Sequence, residues 1–264
     1  INPSYKLSDN ALAYASVSYG EKSGAANLGA RPGDPIIIDP EKSIDYEVGL
    51  KTTLLDGRAT LNGNLYWNDI TDYQATLTSL TGTVARSYLA NVGKVRLRGI
   101  ELEGQAQVSE NLRVSASGAY ADTRYVSYRN APPPPELAYP GASASVDLSD
   151  TRVPLAPKFT GQVSVNYERP LTSEATIFGY VNQTWRSATF LHSLSEYGRQ
   201  DAFGLTHVGL GVKDPNGRWS ANVWARNLFD QEYAAAYSTA TANTPYIAIL
   251  GEPRTFGFTL SGRY

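Results

Sequence analysis

The 264-residue chain contains no cysteine, which excludes structural disulfides, thiolate catalysis and cysteine-bound zinc. It also lacks a surplus of positive charge, because 23 basic residues are balanced by 25 acidic ones. Without that surplus, the electrostatic basis for binding a phosphate backbone is missing, and no nucleic acid is expected as a partner. No apolar run approaches the roughly 18 residues of a membrane helix.

Tyrosine and glycine are abundant, with 18 and 23 copies, while charged residues make up only 18% of the chain against roughly a quarter in an average protein. This composition favours β-strands and turns over helices. Apolar and polar residues alternate with period two, as strands with one dry and one wet face require. The apolar positions of six segments carry no charge, namely 44–54, 59–67, 112–120, 159–167, 219–225 and 256–264.

A soluble β-sandwich and a membrane β-barrel produce the same alternation, and three features favour the barrel. The regular segments run for about 10–13 residues, which suits strands that cross a bilayer at a tilt. Short connections alternate with long ones, and the long ones are 21–42, 127–156, 188–202 and 232–251. The apolar phase ends in aromatic residues that predict interfacial girdles, namely Tyr46, Trp67, Tyr120, Tyr167, Trp219 and Tyr264. The sequence therefore predicts an all-β, antiparallel transmembrane β-barrel.

Less regular strands bring the predicted total to about ten, and they lie at roughly 11–20, 84–108, 174–187 and 203–213. Within 84–108 the apolar phase shifts from Val95 and Leu97 to Ile100 and Leu102, and a β-bulge at Gly99 would explain the shift.

Two further connections carry expectations of their own. The connection 78–83 is expected to be short, although its position in the alternation calls for a long loop. The proline-rich stretch 131–141 is expected to be a stiff spacer that holds a loop tip away from the membrane.

Four stretches carry motifs that occur together in one protein family. They are SIDYEVGLKTTLLDGRATLNGNLYWNDITDY (43–73), NVGKVRLRGIELEGQAQVSENLRVSASGAY (91–120), VWARNLFDQEY (223–233) and GEPRTFGFTLSGRY (251–264). In this order and spacing they resemble the C-terminal part of the barrel of a TonB-dependent outer-membrane receptor.

The resemblance implies that residues 1–264 are the C-terminal portion of a barrel of about 22 strands. The plug domain and the energy-coupling box of the family are absent from this chain, so the remaining strands are expected from residues outside it. The implied function is TonB-energised import of a scarce ligand across the bacterial outer membrane, most often an iron–siderophore chelate. The implied partners are outer-membrane lipid, TonB acting through the absent plug region, and the barrel-assembly machinery acting through the last strand, which ends at Tyr264.

The resemblance also places ligand capture in the outer loops and at the outer end of the lumen. Aromatic and cationic side chains there suit an anionic, ring-bearing ferric chelate. The candidates are Tyr128, Arg129, Arg186, His192, Tyr197, Arg199, Tyr237 and Tyr246, and the alternative for each is a role in the girdle or in loop packing.

Catalytic chemistry has little support in the sequence. His192 and His207 lack a partner at metal-ligand spacing, so neither a metal site nor a cofactor is expected, and structural or solvated roles are favoured. Glu101 and Glu103 share one face of a strand and are expected to be a solvated pair on the lumen wall near Arg96 and Arg98.

Two alternatives to a transporter remain open. A self-contained small outer-membrane barrel, such as an adhesin or a surface protease, predicts pairing between 11–20 and 252–264. A soluble β-sandwich binding module predicts solubility without detergent, which the uncharged apolar face opposes.

Overall fold

The computed structural model describes residues 1–27, 35–81, 84–137, 139, 141–143, 145–191, 195–238 and 246–263. Eleven strands form one large sheet, numbered here β1 (Ser4–Ser8), β2 (Ala11–Lys22), β3 (Glu41–Leu54), β4 (Ala59–Thr71), β5 (Lys94–Ser109), β6 (Leu112–Ser127), β7 (Phe159–Pro170), β8 (Thr176–Arg186), β9 (Phe203–Lys213), β10 (Trp219–Arg226) and β11 (Thr255–Gly262). Each strand pairs antiparallel with the one before it. The antiparallel all-β prediction is confirmed, with one strand more than the ten expected.

Strands β1 and β11 lie at opposite edges of this sheet, and no ladder joins them in the part of the chain that the structure describes. The closure that a self-contained small barrel predicts is therefore not observed. A sandwich would need a second large sheet facing the first, whereas the other described sheets are two-stranded hairpins in the connections.

The strand register places the predicted apolar positions on one continuous face. One row of directly paired residues crosses five strands and consists of Val48, Leu65, Ile100, Tyr120 and Phe159. Their side chains are 45–52% exposed, although burying them would be favourable. An exposed apolar face of this width needs an apolar solvent, which a bilayer supplies.

Two polar side chains on the apolar face, those of Gln183 and Thr206, are hydrogen-bonded to each other. Gln183 lies in register with Val163, and its side-chain oxygen accepts a hydrogen bond from the Thr206 hydroxyl. Its amide group donates to the carbonyl oxygen of Thr184 at 2.9 Å. The pair fulfils the requirement that polar groups facing hydrocarbon find partners within the protein.

The predicted bulge at Gly99 is wrong. The ladders from β5 to both neighbours run through this residue without a shift, pairing it with Tyr66 and Ala121. Glycine is needed here because a Cβ would collide with the carbonyl oxygen of Tyr120 and lie 2.6 Å from the Tyr66 hydroxyl. The expected cluster of Arg96 and Arg98 with the two glutamates is wrong for the same reason, because an unbroken register puts them on opposite faces.

The apolar phase changes in β5 because the surroundings change along the strand. Residues of β5 that follow Gly99, toward the tight turn, present their apolar side chains outward. Residues that precede Gly99, toward the long loop, present their apolar side chains inward, where they form a core under the loops. Val95 is 1% exposed in this core, together with the buried residues Val92, Tyr125, Tyr128 and Ala131. The outward positions of β5 and β6 at this level are charged, namely Lys94, Arg96, Arg98, Asp122 and Arg124. The inversion marks the level at which the outer surface of the wall passes from lipid to water.

Connections alternate between tight turns and long loops, as predicted. The turn before β10 is fixed by the Asp214 carboxylate, which accepts hydrogen bonds from the backbone of Asn216 and Arg218 and from the Arg218 side chain, all at 3.1 Å. The long loops carry two-stranded hairpins of their own, including Ala25–Ala26 with Ile37–Ile38, Thr189–Phe190 with Arg199–Gln200, and Ala234–Ser238 with Ile247–Leu250.

The prediction of a short connection at 78–83 is wrong. Strands β4 and β5 are joined by a long loop whose arms, Gln74–Thr81 and Val84–Asn91, pair as a hairpin. Residues 84–91 therefore belong to a loop and not to the wall, and this connection follows the alternation.

The proline-rich stretch contains a 3-10 turn at Pro135–Leu137, and a second such turn lies at Glu196–Gly198. No described helix is long and apolar enough to cross a membrane.

Candidate ligand-binding site

The polar face of the sheet curves around a cavity of about 810 Å³. Its lining includes Tyr14 of β2 and Phe203 of β9, seven strand spacings apart. In a flat sheet these strands would be about 33 Å apart. Both line one cavity because the sheet bends toward its polar face, as the wall of a barrel does.

A hydrogen-bonded network of carboxylates lines one side of this cavity. The Tyr14 hydroxyl donates to Glu47, and the Asn64 amide donates to Glu47 at 3.1 Å and to Glu101 at 3.4 Å. Glu103 accepts from the Asn62 amide at 2.9 Å. The network gives this side of the wall a negative charge and holds the carboxylates in place.

A cation and two aromatic rings stand at the outer end of the cavity. Arg186 lies in register with Thr160 and Phe203 on the polar face, and its guanidinium carbon is 5.7 Å from the centre of the Phe203 ring. The Phe203 ring stacks on that of Tyr233 with centroids 4.6 Å apart. Gly251 packs against the Tyr233 ring, where any Cβ would collide with it. The stack therefore presents a cationic and aromatic surface to the cavity.

Two buried polar atoms in the described part of the chain have no hydrogen-bond partner, Arg186 Nε and Asn64 Oδ1. Both residues line the same cavity. Buried polar atoms are normally paired, so these positions indicate where a polar occupant would donate or accept a hydrogen bond.

Three long loops meet above the cavity at Glu136, Ser195, Tyr197 and Tyr246, here called the loop cluster. The Tyr246 hydroxyl donates to Glu136 at 2.5 Å, and the rings of Tyr197 and Tyr246 are 6.0 Å apart. Tyr197 is 68% exposed, so its ring is available at the outer surface. Glu136 thus ties the proline-rich loop to the other two.

The pKa of Glu136 makes this tie dependent on pH. Burial raises the pKa, but hydrogen bonds from Ser195 and Tyr246 outweigh burial and hold it below the ordinary value. A carboxyl with a lowered folded-state pKa stabilises the structure above its unfolded pKa, and this contribution is lost as the pH falls through the folded pKa. We therefore expect the three loops to stay together at neutral pH and to separate as the pH falls through the lowered pKa of Glu136.

Spin labels at Asn130→Cys and Ala202→Cys would measure this separation, because the chain has no other cysteine and both positions are exposed. The distance distribution should broaden between neutral and acidic pH in the labelled chain. It should not change with pH when Glu136→Gln is added. An identical distribution at both pH values without that substitution would contradict the prediction.

The predicted ligand residues occupy different environments. Tyr197 and Tyr246 are in the loop cluster, and Arg186 faces the cavity. Arg199 is exposed and pairs with Asp201 at 3.4 Å. Arg129 and Tyr237 lie elsewhere in the loops, and His192 lies outside the described residues.

Tyr128 packs in the core under the loops. It is 7% exposed, its ring centroid is 5.0 Å from that of Tyr125, and burial raises the pKa of its hydroxyl. Loop packing, the alternative interpretation of this tyrosine, fits its environment better than ligand contact does.

Sequence reasoning did not select Glu136, Phe203 or Asn64. Glu136 lies in the stretch expected to be a spacer, and its partners Ser195 and Tyr246 come from two other loops that the local sequence does not indicate. The period-two alternation of β9 does place Phe203 on the same face of the strand as His207. The structure supports a structural role for His207, whose Nδ1 accepts a hydrogen bond from the Asn227 backbone at 3.2 Å. The described residues contain no group of three potential metal ligands.

Comparison with known proteins identifies the family of the chain. Residues 4–228 match the family model described as TonB dependent receptor-like, beta-barrel. The chain belongs to the TonB-dependent receptor family. Its curved wall is a section of an outer-membrane β-barrel, so the apolar face is the lipid face and the polar face is the lumen face. The family is one of transport receptors.

Relatives within the family include the ferrichrome outer membrane transporter/phage receptor of Escherichia coli K12, which is 25% identical over 227 residues, or 83% of this chain and 26% of the relative. The ferric yersiniabactin uptake receptor FyuA of Yersinia pestis has the same fold, with a TM-score of 0.75, 20% identity, and coverage of 97% of this chain and 35% of FyuA. The siderophore receptor PiuA of Acinetobacter baumannii gives a TM-score of 0.71 at 17% identity, covering 100% of this chain and 35% of PiuA. The chain thus spans about a quarter to a third of the length of these relatives.

Proposed function

We propose that the receptor to which this chain contributes binds a scarce ferric chelate of the siderophore type and imports it with energy supplied through TonB. The observation that carries the proposal is the match of residues 4–228 to the family's barrel. The names of the relatives point the same way, since they specify ferrichrome and ferric yersiniabactin.

The chemistry of the lumen face supports this cargo. Arg186 offers an unpaired Nε beside the Phe203 ring, and Tyr197 offers an exposed ring in the loop cluster above. Guanidinium groups and aromatic faces bind anionic ligands that contain rings. We infer a first contact with the loop cluster, followed by a second at Arg186 nearer the lumen, and no covalent step.

The partners follow from the same assignment. Strands β1 and β11 would expose unpaired backbone to hydrocarbon, where each unsatisfied group costs several kcal/mol, so we propose that strands outside this chain complete the barrel. A plug outside this chain would couple ligand binding to TonB. Lipid would cover the apolar face, and β11 with the residues after it would be recognised by the assembly machinery.

Replacing Arg186 by glutamine in the complete receptor should weaken chelate binding about tenfold, because a charge-assisted hydrogen bond to the ligand is lost. Binding and uptake of radioactive iron would be measured with ferrichrome, ferric yersiniabactin and a ferric catecholate under iron limitation.

The matched control is Arg113→Gln, which removes a lumen-facing arginine at the other end of the wall that bonds Gln107 at 3.1 Å. This variant should bind the chelate normally. Uptake of all three chelates that is equal with and without the receptor, or that does not require TonB, would contradict the proposed function.

A further inference from the structure

The lumen face of the wall has two halves that differ in charge. On β3 and β5 it carries four carboxylates, those of Asp45, Glu47, Glu101 and Glu103, against one cation, Lys51. On β7–β11 the lumen-facing positions contain no Asp, Glu, Lys or Arg within 162–166, 178–184, 205–211, 222–224 and 257–259. These positions are here called the neutral strip.

The neutral strip begins at the candidate ligand-binding site. Gln162 and Thr184 are paired with each other in the strip and also line the cavity, and Thr184 lies two residues from Arg186 on the same face of β8. At the other end of the strip, Lys213 binds Glu168 at 2.7 Å, so the two charges there neutralise each other. The strip therefore runs from Arg186 toward the tight turns without a net charge along its length.

The large aromatic rings of the strip lie against the wall. Tyr180 is directly paired with Gly209, and Trp224 is directly paired with Gly257. A Cβ at Gly209 would collide with the Tyr180 ring, and a Cβ at Gly257 would lie 2.7 Å from the Trp224 ring. Each ring therefore covers the glycine on the neighbouring strand and does not project across the lumen.

Polar side chains of the strip are bonded to one another. The Ser164 hydroxyl donates to Asn182 at 2.6 Å, the Asn166 amide donates to Ser164 at 3.1 Å, and the Trp224 indole donates to Thr259 at 3.1 Å. The two unpaired buried polar atoms of the described residues both lie outside the strip. A surface whose polar groups are already paired offers a passing molecule only weak contacts, which let it leave each position as readily as it enters.

We propose that the neutral strip is the surface along which the chelate passes through the lumen after it leaves Arg186. This path rests on the proposed import of an anionic ferric chelate. The carboxylates of β3 and β5 repel such a chelate, whereas the strip carries no charge that would repel it or hold it. The chelate therefore moves along β7–β11, with no covalent step and no strong binding position on the way.

A bulky label on a single cysteine would test the path, because it can be attached after the complete receptor has folded. The 264 residues contain no cysteine, and any cysteine elsewhere in the receptor would be replaced. Asn182→Cys places an uncharged pyrene maleimide on the strip. Gln105→Cys is the matched control, because Gln105 is exposed on the lumen face in the same row of paired residues, three strands away on the charged half.

Binding and uptake of radioactive iron would be measured with ferrichrome, ferric yersiniabactin and a ferric catecholate. We expect labelled Asn182→Cys to bind its chelate as the unlabelled variant does but to import it at least about tenfold more slowly, since the label obstructs the path. Labelled Gln105→Cys should bind and import normally. Asn182→Glu adds a carboxylate to the strip and should slow uptake about tenfold by repulsion, whereas the uncharged Asn182→Gln should not.

Equal slowing by the two labels, slowing by the Gln105→Cys label alone, or no slowing by either would overturn the proposed path. Loss of chelate binding on labelling Asn182→Cys would also overturn it, since the strip would then belong to the binding site. Equal uptake by Asn182→Glu and Asn182→Gln would contradict the role of charge. Failure of the proposed function gives a different result, because the unlabelled receptor would then import none of the three chelates.

Discussion

Replacing Val165 by arginine is expected to lower the stability of the inserted barrel by about 2–4 kcal/mol, the cost of a cation facing the middle of the bilayer. Val165 lies in register with Val114 and Val181, in the lipid-facing stretch of β7 that ends at Phe159 and Tyr167. The loss would be measured by urea titration of the receptor in vesicles, with the folded fraction read from the heat-dependent shift on a gel.

Ser164→Arg is the matched control, because the neighbouring residue of the same strand faces the lumen, where its hydroxyl donates to Asn182 at 2.6 Å. An arginine there stays in water and should cost little. If both substitutions were tolerated equally, the assignment of the lipid and lumen faces would be wrong.

Replacing Asn227 by alanine is expected to destabilise the outer end of β10 and the loop 227–254 by about 2–4 kcal/mol, because several buried hydrogen bonds are lost together. Asn227 is 2% exposed, its amide donates to the carbonyl oxygens of Gln231 and Glu252 at 2.9 and 3.0 Å, and its side-chain oxygen accepts from the Gln231 backbone. Hydrogen exchange of the amides between 228 and 254 would measure the loss.

The backbone of Asn227 adds a second cost, since its φ of 46° is left-handed and asparagine tolerates this region better than alanine does. Asn227→Gly removes the same side-chain hydrogen bonds without the backbone strain and should therefore be milder by about 1 kcal/mol. Unchanged exchange in both variants would show that this corner does not hold the loop.

Much of the fold was predictable because successive side chains of a strand face opposite sides of the sheet, so the local sequence alone shows which side is apolar and which is polar. The alternation of β7, from Phe159 to Tyr167, already separates a lipid side from a wet side, and the pairing with β6 and β8 adds no new information about it. The positive-φ turn at Asp56 and Gly57 was equally readable from sequence.

The candidate site was less predictable because it depends on contacts between segments that are distant in sequence. The phase of β8 correctly directs Arg186 toward the lumen, but its neighbour Phe203 comes from another strand. Tyr128 and Tyr246 look alike in sequence, yet one is buried beside Tyr125 and the other reaches Glu136.

The sequence by itself determined that this protein is an antiparallel wall with an apolar and a polar face, because period-two alternation records which side of each strand is dry. It did not determine where along a strand the outside stops being lipid. At Gly99 the apolar phase shifts while the register does not. The two arginines that precede it, Arg96 and Arg98, therefore point outward with Trp67 and not inward with Glu101. Only pairing with β4 and β6 decides this, because the environment of a side chain at that level is set by the neighbouring strands and by the loops packed above them.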